Sequence, residues 1–395
     1  MLPVTDGFEV SHNGVAVRCG PGAVAGMGEL IAANGGRRAM IVCGANVAKN
    51  DDVIGPLREG LGDLFVGVFD GTTPQKSISS VYAGIDRMRE LDADVLVGVG
   101  GGSSLDIARQ ISAFAADGRS VEEVRDAAAA GTLTPPTPQP GAAAAVIVPT
   151  TLAGADLSPA GSIEVLSPEE TESGQPVRTE GVTVPLGVYF DVSLFAHTPR
   201  SAMIGSTMNG FNKGVETLYS PRATALSDAL ASHGVRLMSA GIRAFGDDYA
   251  HGLHTAVSGL VLSQMERRVS IIHAVARGVS RFTEVQQGVA HAILAPHVVR
   301  YVLSVADARR RLLASAFGVD DTGTDADVAD RVVAALTEVR DSIGVPGRLS
   351  EVIDVGSFNL DAAASYVQDQ PLMAGAPLER PATLEELRGI FEAAF

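Results

Sequence analysis

The sequence predicts an α/β half built on a parallel sheet, residues 1–193, followed by an all-α half, residues 194–395. Two observations carry this. Between residues 39 and 190, short apolar runs alternate with stretches of helical period, and the runs are apolar at nearly every position. Strands covered on both faces read that way, and such strands are parallel with helices on each side. Beyond residue 193 strand signals are few and long segments of 3.6 period take over. At 395 residues and 46% apolar content the chain is long enough for two domains, each with its own core.

Taken in order, 39–43 is a buried strand ending in Gly44, 53–61 a helix, and 64–69 a strand closed by Asp70-Gly71. Residues 77–91 form a helix with Val81, Ile85, Met88 and Leu91 toward one face, and 94–99 is the third strand. Glycines follow, then a helix over 104–116. The Ala-, Gly-, Pro- and Thr-rich stretch 125–142 reads as a surface loop, 143–148 as a strand running into Pro149-Thr150-Thr151, and 184–190 as the last strand, ending at Asp191. The boundary lies within 191–200, which contains Pro199. Helices are expected over 201–220, 223–244, 252–281, 288–305, 307–317, 325–343 and 384–394, with no internal repeat.

Charge narrows the function. Against 46 acidic residues stand 30 basic ones, a net −16. This disfavours a nucleic-acid partner, which needs a Lys/Arg surplus, but leaves room for a small anionic substrate held by a few local cations. Cys19 and Cys43 make no disulfide framework, and no Cys/His cluster has zinc-finger spacing. The opening MLPVTDGFEV has no basic segment before an apolar run. No apolar stretch approaches the roughly 20 residues of a membrane span. The expectation is a cytoplasmic protein without a membrane partner. Its lysines are three, Lys49, Lys76 and Lys213.

Gly100-Gly101-Gly102-Ser103-Ser104-Leu105-Asp106 sits at a strand end and opens a helix. Glycines let backbone approach a phosphate, and a helix N-terminus offers N–H donors and the positive end of a dipole. No Gly-Lys-Ser/Thr follows, so this is not a Walker loop, nor is it the GxGxxG pattern. The run GGGSSLDIAR resembles the GGGSxxD cofactor motif of the iron-containing alcohol dehydrogenase family. Four further segments resemble that family in the right order: Pro149 to Asp156, Met208 to Glu216, Ile272 to Arg277, and Gln287 to His297. The resemblance implies a Rossmann-like dinucleotide-binding domain and a helical catalytic domain, the fold shared with dehydroquinate synthase, with the active site in the cleft between them and a homodimeric assembly. Cofactor contacts carried over from the family motifs fall on Gly101, Gly102, Ser103, Asp106, Thr150, Thr151 and Leu157, with Gly44 and Gly100 beside them.

The departures from the family are informative. Its metal is held by an Asp, a His four residues on, and two later His; here those positions read Asn209, Lys213, His273 and Gln287. Two neutral amides, an ammonium and one imidazole are a poor set for Fe²⁺ or Zn²⁺, so no catalytic metal is expected. A further family His is replaced by Arg277. Thr151-Leu152-Ala153-Gly154 and the Met208-Asn209 pair resemble the maleylacetate reductase branch. The resulting expectation is a metal-independent NAD(P)H-dependent reductase acting on a carbonyl or conjugated double bond of a small anionic substrate. Lys213 and Arg277 supply charge and His273 is an alternative proton donor to Lys213; Asn209, Gln287 and Asp156 bind substrate. Gly44 stands where NAD-preferring members often carry an acid that meets the ribose hydroxyls, which leaves room for NADP. His251 and His254 read as a solvated helix start, and His291 and His297 as structural. Two rivals are an inactive paralogue that keeps the cofactor pocket and a lyase or cyclase of the dehydroquinate synthase type.

Overall fold

The structure, a computed structural model, describes residues 7–137 and 139–395. The leader reading at the start of the chain falls partly on residues 1–6, outside the described residues. The chain divides into two compact units: 7–150 with Ala155–His197, and Thr151–Gly154 with Thr198–Phe395.

The first unit is built on a seven-stranded sheet. Its strands are β1 (Phe8–His12), β2 (Val15–Gly20), β3 (Ala39–Val42), β4 (Phe65–Phe69), β5 (Val95–Gly100), β6 (Ala144–Pro149) and β9 (Gly187–Asp191), in the order β1-β2-β9-β6-β5-β3-β4. All neighbours are parallel except β1 with β2. Side chains alternate between the two faces. Ile41, Val97 and Val148 join Val53, Leu57 and Met27 in one core, while Met40, Val42 and Leu96 join Ile85, Ile107 and Ile111 in the other. That double burial is why these strands read as unbroken apolar runs. β7 (Ala160–Leu166) and β8 (Val177–Val182) form a separate hairpin.

Four strands went unforeseen, β1, β2, β7 and β8. The first pair turns at Asn13-Gly14, both with positive φ, 51° and 81°, the Asn-Gly signature of a tight hairpin. The expected loop 125–142 is helical to its fifth residue. The helix Val121–Ala129 opens on a capping box between Ser120 and Glu123, and its alanines favour helix over loop.

The second unit is helical: Arg200–Tyr219, Ala225–Arg243, Tyr249–Met265, Ile271–Phe282, Gln287–Val305, Arg310–Phe317, Asp325–Ser342, Leu360–Gln368 and Leu384–Ala394. The expected helix 252–281 is two, broken at 266–270. In the break the Arg268 N–H donates to Thr217 Oγ1 at 2.8 Å, and a buried carboxyl from a distant helix caps the restart. The pair His251/His254 also needs correction: His254 is buried rather than solvated. Gln287–Val305 has the length and hydropathy of a membrane span, contrary to the sequence expectation, yet 67% of it is buried within the protein, as in a core helix.

Candidate active site

Each unit brings together one set of the candidate residues. In the α/β unit the set forms around the ends of β3, β4 and β5. The chain leaves β3 toward β4 on one side, then returns past β3 to β5 and continues to β6 on the other. The crevice outside the carboxyl ends of β3 and β5 is therefore the topological switch point, where open α/β sheets bind ligands. Gly44 follows β3, and Gly100 ends β5 with Gly101 and Gly102 leading into the next helix, so both segments fall at this crevice.

The turn there is shaped for close approach of a ligand. Gly100 has φ +128°, a conformation side chains rarely adopt, and a Cβ added at Gly102 would point into open space. The helix Gly102–Asp117 has no side-chain cap at its N-terminus, which leaves its first N–H groups for an acceptor from outside. The loop after β4 buttresses the turn: Thr72 Oγ1 and Ser104 Oγ share a hydrogen bond of 2.7 Å, and Ser103 Oγ donates to the Pro74 carbonyl at 3.4 Å. These features fit a dinucleotide's diphosphate.

Asp106, a candidate contact, is already engaged. Lys76 Nζ lies 2.9 Å from Oδ2, and buried Arg109 places a guanidinium nitrogen 3.6 Å from Oδ1. Its carboxylate is thus neutralised beside the glycine turn, and Lys76, not singled out from sequence, makes the shorter of the two ion pairs with it. Thr150 is buried, with its N–H on the Gly100 carbonyl at 2.9 Å. Asp156 is also buried, and its backbone carbonyl accepts from Arg109 at 2.7 Å. Both Asp156 and the half-buried Leu157 belong to this unit, whereas Thr151 goes with the helical one. Asp156 therefore does not share a unit with Asn209 and Gln287, the other two residues expected to bind substrate.

The second set lies in the helical unit, around Arg200–Tyr219. Close packing of backbone shapes it. A Cβ at Gly210 would lie 2.0 Å from the Leu152 carbonyl oxygen, and one at Gly288 would lie 1.5 Å from that of Gly205. Only glycine lets Thr151–Gly154 and the start of Gln287–Val305 press so near this helix. Lys213 uses that proximity. It is 6% exposed, and its Nζ donates to the Ala153 carbonyl at 2.7 Å and the Gly154 carbonyl at 2.5 Å. Arg267 adds a 3.3 Å hydrogen bond to the same Gly154 oxygen. The i,i+4 spacing puts Asn209 on the face of Lys213; its Oδ1 is buried and has no hydrogen-bond partner among the described residues.

His273 is 5% exposed. Its Nδ1 pairs with Glu216 Oε2, while its Nε2 is buried without a hydrogen-bond partner among the described residues. Its ring stands edge-on to that of His291, centroids 4.4 Å apart. His291 Nδ1 lies 3.3 Å from Asn212 Nδ2. Burial first, then the charges of Lys213, Arg277 and Arg267, hold the His273 imidazole well below its ordinary value. Burial raises the Glu216 carboxyl to about 7, against the opposing effects of His291 and of hydrogen bonds from backbone at His273, Ile272 and Ser270. Arg277 is exposed while His273, four residues before it, is buried, so Arg277 acts on the imidazole as a field from the surface. Gln287 is half-buried. Sequence reading missed Glu216, Arg267 and Asn212 and set His291 apart as structural. A lone acid three residues past Lys213 on a largely buried helix was the available signal for Glu216.

The four positions that hold metal in the resembling family do not suit a divalent ion here. Lys213 is committed as a donor to two carbonyls, so it offers no lone pair, and only one of the four is an imidazole. Among the described residues, no group of three or more His, Cys, Asp or Glu is placed to hold a metal ion.

Comparison with known proteins agrees with this architecture. The family model for iron-containing alcohol dehydrogenase matches residues 15–179, and that for the C-terminal part of the Fe-containing alcohol dehydrogenase family matches 203–395. The chain is 27% identical to 1,3-propanediol dehydrogenase of Klebsiella pneumoniae over 389 residues, 95% of this chain and 96% of that one. It is 25% identical to NAD-dependent methanol dehydrogenase of Bacillus methanolicus (84% and 86% covered) and 23% identical to maleylacetate reductase of Rhizobium sp. strain MTP-10005 (95% and 95%). The crystal structure of a 1,3-propanediol oxidoreductase superposes with a TM-score of 0.80 at 24% identity, covering 98% of this chain and 100% of that one. With its parallel sheet, its helical second half and both halves matched, the chain belongs to the iron-containing alcohol dehydrogenase family.

Proposed function

We propose that this chain is a nicotinamide-dependent oxidoreductase that works without a metal ion and reduces a carbonyl, or a double bond conjugated to one, in a small anionic substrate. The observation that carries the reading is the Lys213 ammonium, anchored on the Ala153 and Gly154 carbonyls at a position where the family places a metal ligand, and acting on buried His273. The relatives named above are dehydrogenases and a reductase, one of them NAD-dependent.

The dinucleotide, when bound, supplies a hydride. Gly101, Gly102 and Ser103 hold its diphosphate on the uncapped helix start, and the absence of an acid at Gly44 favours NADP over NAD. Hydride arriving at a carbonyl carbon leaves negative charge on oxygen. A fixed positive charge in a water-poor site stabilises that oxyanion without reorganisation, and Lys213 provides one. His273 Nε2, buried and without a hydrogen-bond partner among the described residues, delivers the proton. Lys213, Arg267 and Arg277 concentrate positive charge in a chain of net −16, which selects a carboxylate-bearing substrate; Asn209 and Gln287 supply neutral hydrogen bonds to it.

The test is oxidation of NADH and NADPH with a panel of keto acids and unsaturated keto acids, with and without chelator, on protein of measured metal content. The reading expects turnover that is indifferent to chelator with far less than one metal per chain. Stoichiometric iron or zinc whose removal abolishes turnover overturns it.

A further inference from the structure

Glu216 is 0% exposed. A carboxyl taken wholly out of water costs several kcal/mol unless its oxygens are used, and here both are. Oε1 accepts from the Ile272 N–H at 2.7 Å, the His273 N–H at 3.2 Å, and the Ser270 and Tyr219 hydroxyls at 3.4 Å. The helix Ile271–Phe282 has no cap from its own Ser270 side chain, so Glu216 caps it from a separate helix. Oε2 is left for the His273 ring. One oxygen thus grips the backbone that carries His273 and the other grips its imidazole.

We infer that Glu216 is the positioning residue of this site: it ties down Nδ1 of His273 and so presents Nε2 as the ring nitrogen that exchanges a proton with substrate. The inference rests on the oxidoreductase reading above. An ionised carboxylate only accepts, so Nδ1 keeps its proton and the lone pair lies on Nε2, the ring atom that has no partner among the described residues. His291 packs edge-on against the ring, centroids 4.4 Å apart.

The imidazole rests neutral with its proton on Nδ1 and, in the reducing direction, takes a second proton on Nε2 from solvent only transiently, ahead of hydride transfer. The substrate carbonyl carbon gains a hydride from the reduced nicotinamide, and the carbonyl π pair moves onto oxygen. The Nε2–H bond breaks, an O–H bond forms, and the freed pair stays on Nε2. The Nδ1 proton remains between His273 and Glu216 throughout, and solvent reprotonates Nε2. The dinucleotide is oxidised by two electrons and the substrate is reduced by two.

Glu216→Gln separates positioning from packing. Glutamine has the same shape, and its carbonyl oxygen still caps the helix, but its amide donates to Nδ1 and forces the proton onto Nε2. The expected result is a cofactor Kd and substrate KM within about twofold of the parent, with kcat lowered on the order of 100-fold or more, the usual scale of a lost proton-transfer group. The His273→Gln double variant should lose little further, because the two residues act as a unit. The second readout is ¹⁵N imidazole NMR of the full chain at pH 8, with His273 assigned by its loss in His273→Gln. The parent should show protonated Nδ1 and bare Nε2, and Glu216→Gln the reverse. If that variant does not fold, the parent spectrum alone decides, since a protonated Nε2 with bare Nδ1 at pH 8 overturns the inference. A Glu216→Gln kcat within threefold of the parent overturns it too. Should the parent show the expected tautomer yet turn over no substrate with either dinucleotide, it is the oxidoreductase reading that fails, and the proton-exchange role falls with it.

Discussion

Replacing Lys213 by methionine removes one charge while keeping most of the side-chain volume. The structure sets what should follow. The Ala153 carbonyl loses its ammonium donor, while the Gly154 carbonyl keeps Arg267 at 3.3 Å. A buried acceptor left unpaired costs about 1–3 kcal/mol, partly offset because methionine is cheaper to bury than an ammonium. The net loss of stability should therefore be at most about 2 kcal/mol, and the protein should remain folded. Turnover should suffer more. Losing a fixed group that stabilises an oxyanion costs about 100- to 1,000-fold in kcat, or about 2.7–4 kcal/mol. The His273 imidazole should also titrate at higher pH, since Lys213 is the foremost charge holding it down. The assay is steady-state reduction with cofactor Kd measured separately, alongside imidazole NMR. A kcat within threefold of the parent, with Kd and melting unchanged, refutes the assignment of Lys213 as the oxyanion's counter-charge. Restoration by Lys213→Arg would show that charge is what matters.

Three further outcomes are expected. A Cβ at Gly44 meets only Thr72 atoms, at 3.6 Å, so Gly44→Asp fits; by repelling a 2′-phosphate it should shift the NADPH/NADH ratio of Kd values toward NADH by about tenfold or more, roughly 1.4 kcal/mol. Lys76→Met exposes the Asp106 carboxylate to the dinucleotide diphosphate and should raise cofactor Kd about tenfold without changing the helical unit, as read by titration of protein fluorescence and by circular dichroism. Burial holds His273 and His291 well below 6.5 and raises Glu216 from 4.5 to about 7. Between pH 6.5 and 4.5 the unfolded chain thus binds two protons on these groups and the folded chain one; stability should fall as pH falls, by about 1.4 kcal/mol per unit. Urea melts across that window should show this slope, and His291→Gln should flatten it.

Part of this architecture is legible in the amino-acid sequence. The doubly covered strands are, because burial on both faces writes itself as uninterrupted apolar sequence. So is the Gly100–Gly102 turn, where a strand, three glycines and a helix follow one another locally. The Asn13-Gly14 hairpin is equally local, yet its first strand is largely exposed and its second alternates, so neither shows the unbroken apolar run of the doubly buried strands. Glu216 is of another kind. Its role depends on a helix beginning at Ile271 that needs an outside cap, and neither fact is written near residue 216. The interruption at 266–270 has the same origin, since periodicity marks which face is buried and not where a distant carboxyl restarts the ladder. Arg277 shows the limit of helical spacing. Four residues put it on the face of His273, yet one side chain is buried and the other exposed, because the face itself runs from core to surface.

The replacements at the four ligand positions are connected by charge. A divalent ion brings two positive charges to a site built around one carboxylate and three neutral imidazoles. Here Asn209 takes the carboxylate's place and removes one negative charge, while Lys213 takes an imidazole's place and contributes one positive charge held by the carbonyls of 153 and 154. Arg267 and Arg277 add to the positive field at His273. On the proposed reading, Asp at 209 would offset the charge of Lys213 four residues on and leave only Arg267 and Arg277 in the field at His273, so the two substitutions would act together. Lys213→Met alone should lose the counter-charge, Asn209→Asp alone should mask it, and the two kcat losses should not add. Such non-additivity is what distinguishes a charge swap from the piecemeal decay of a disused metal site, in which each replacement would be neutral by itself.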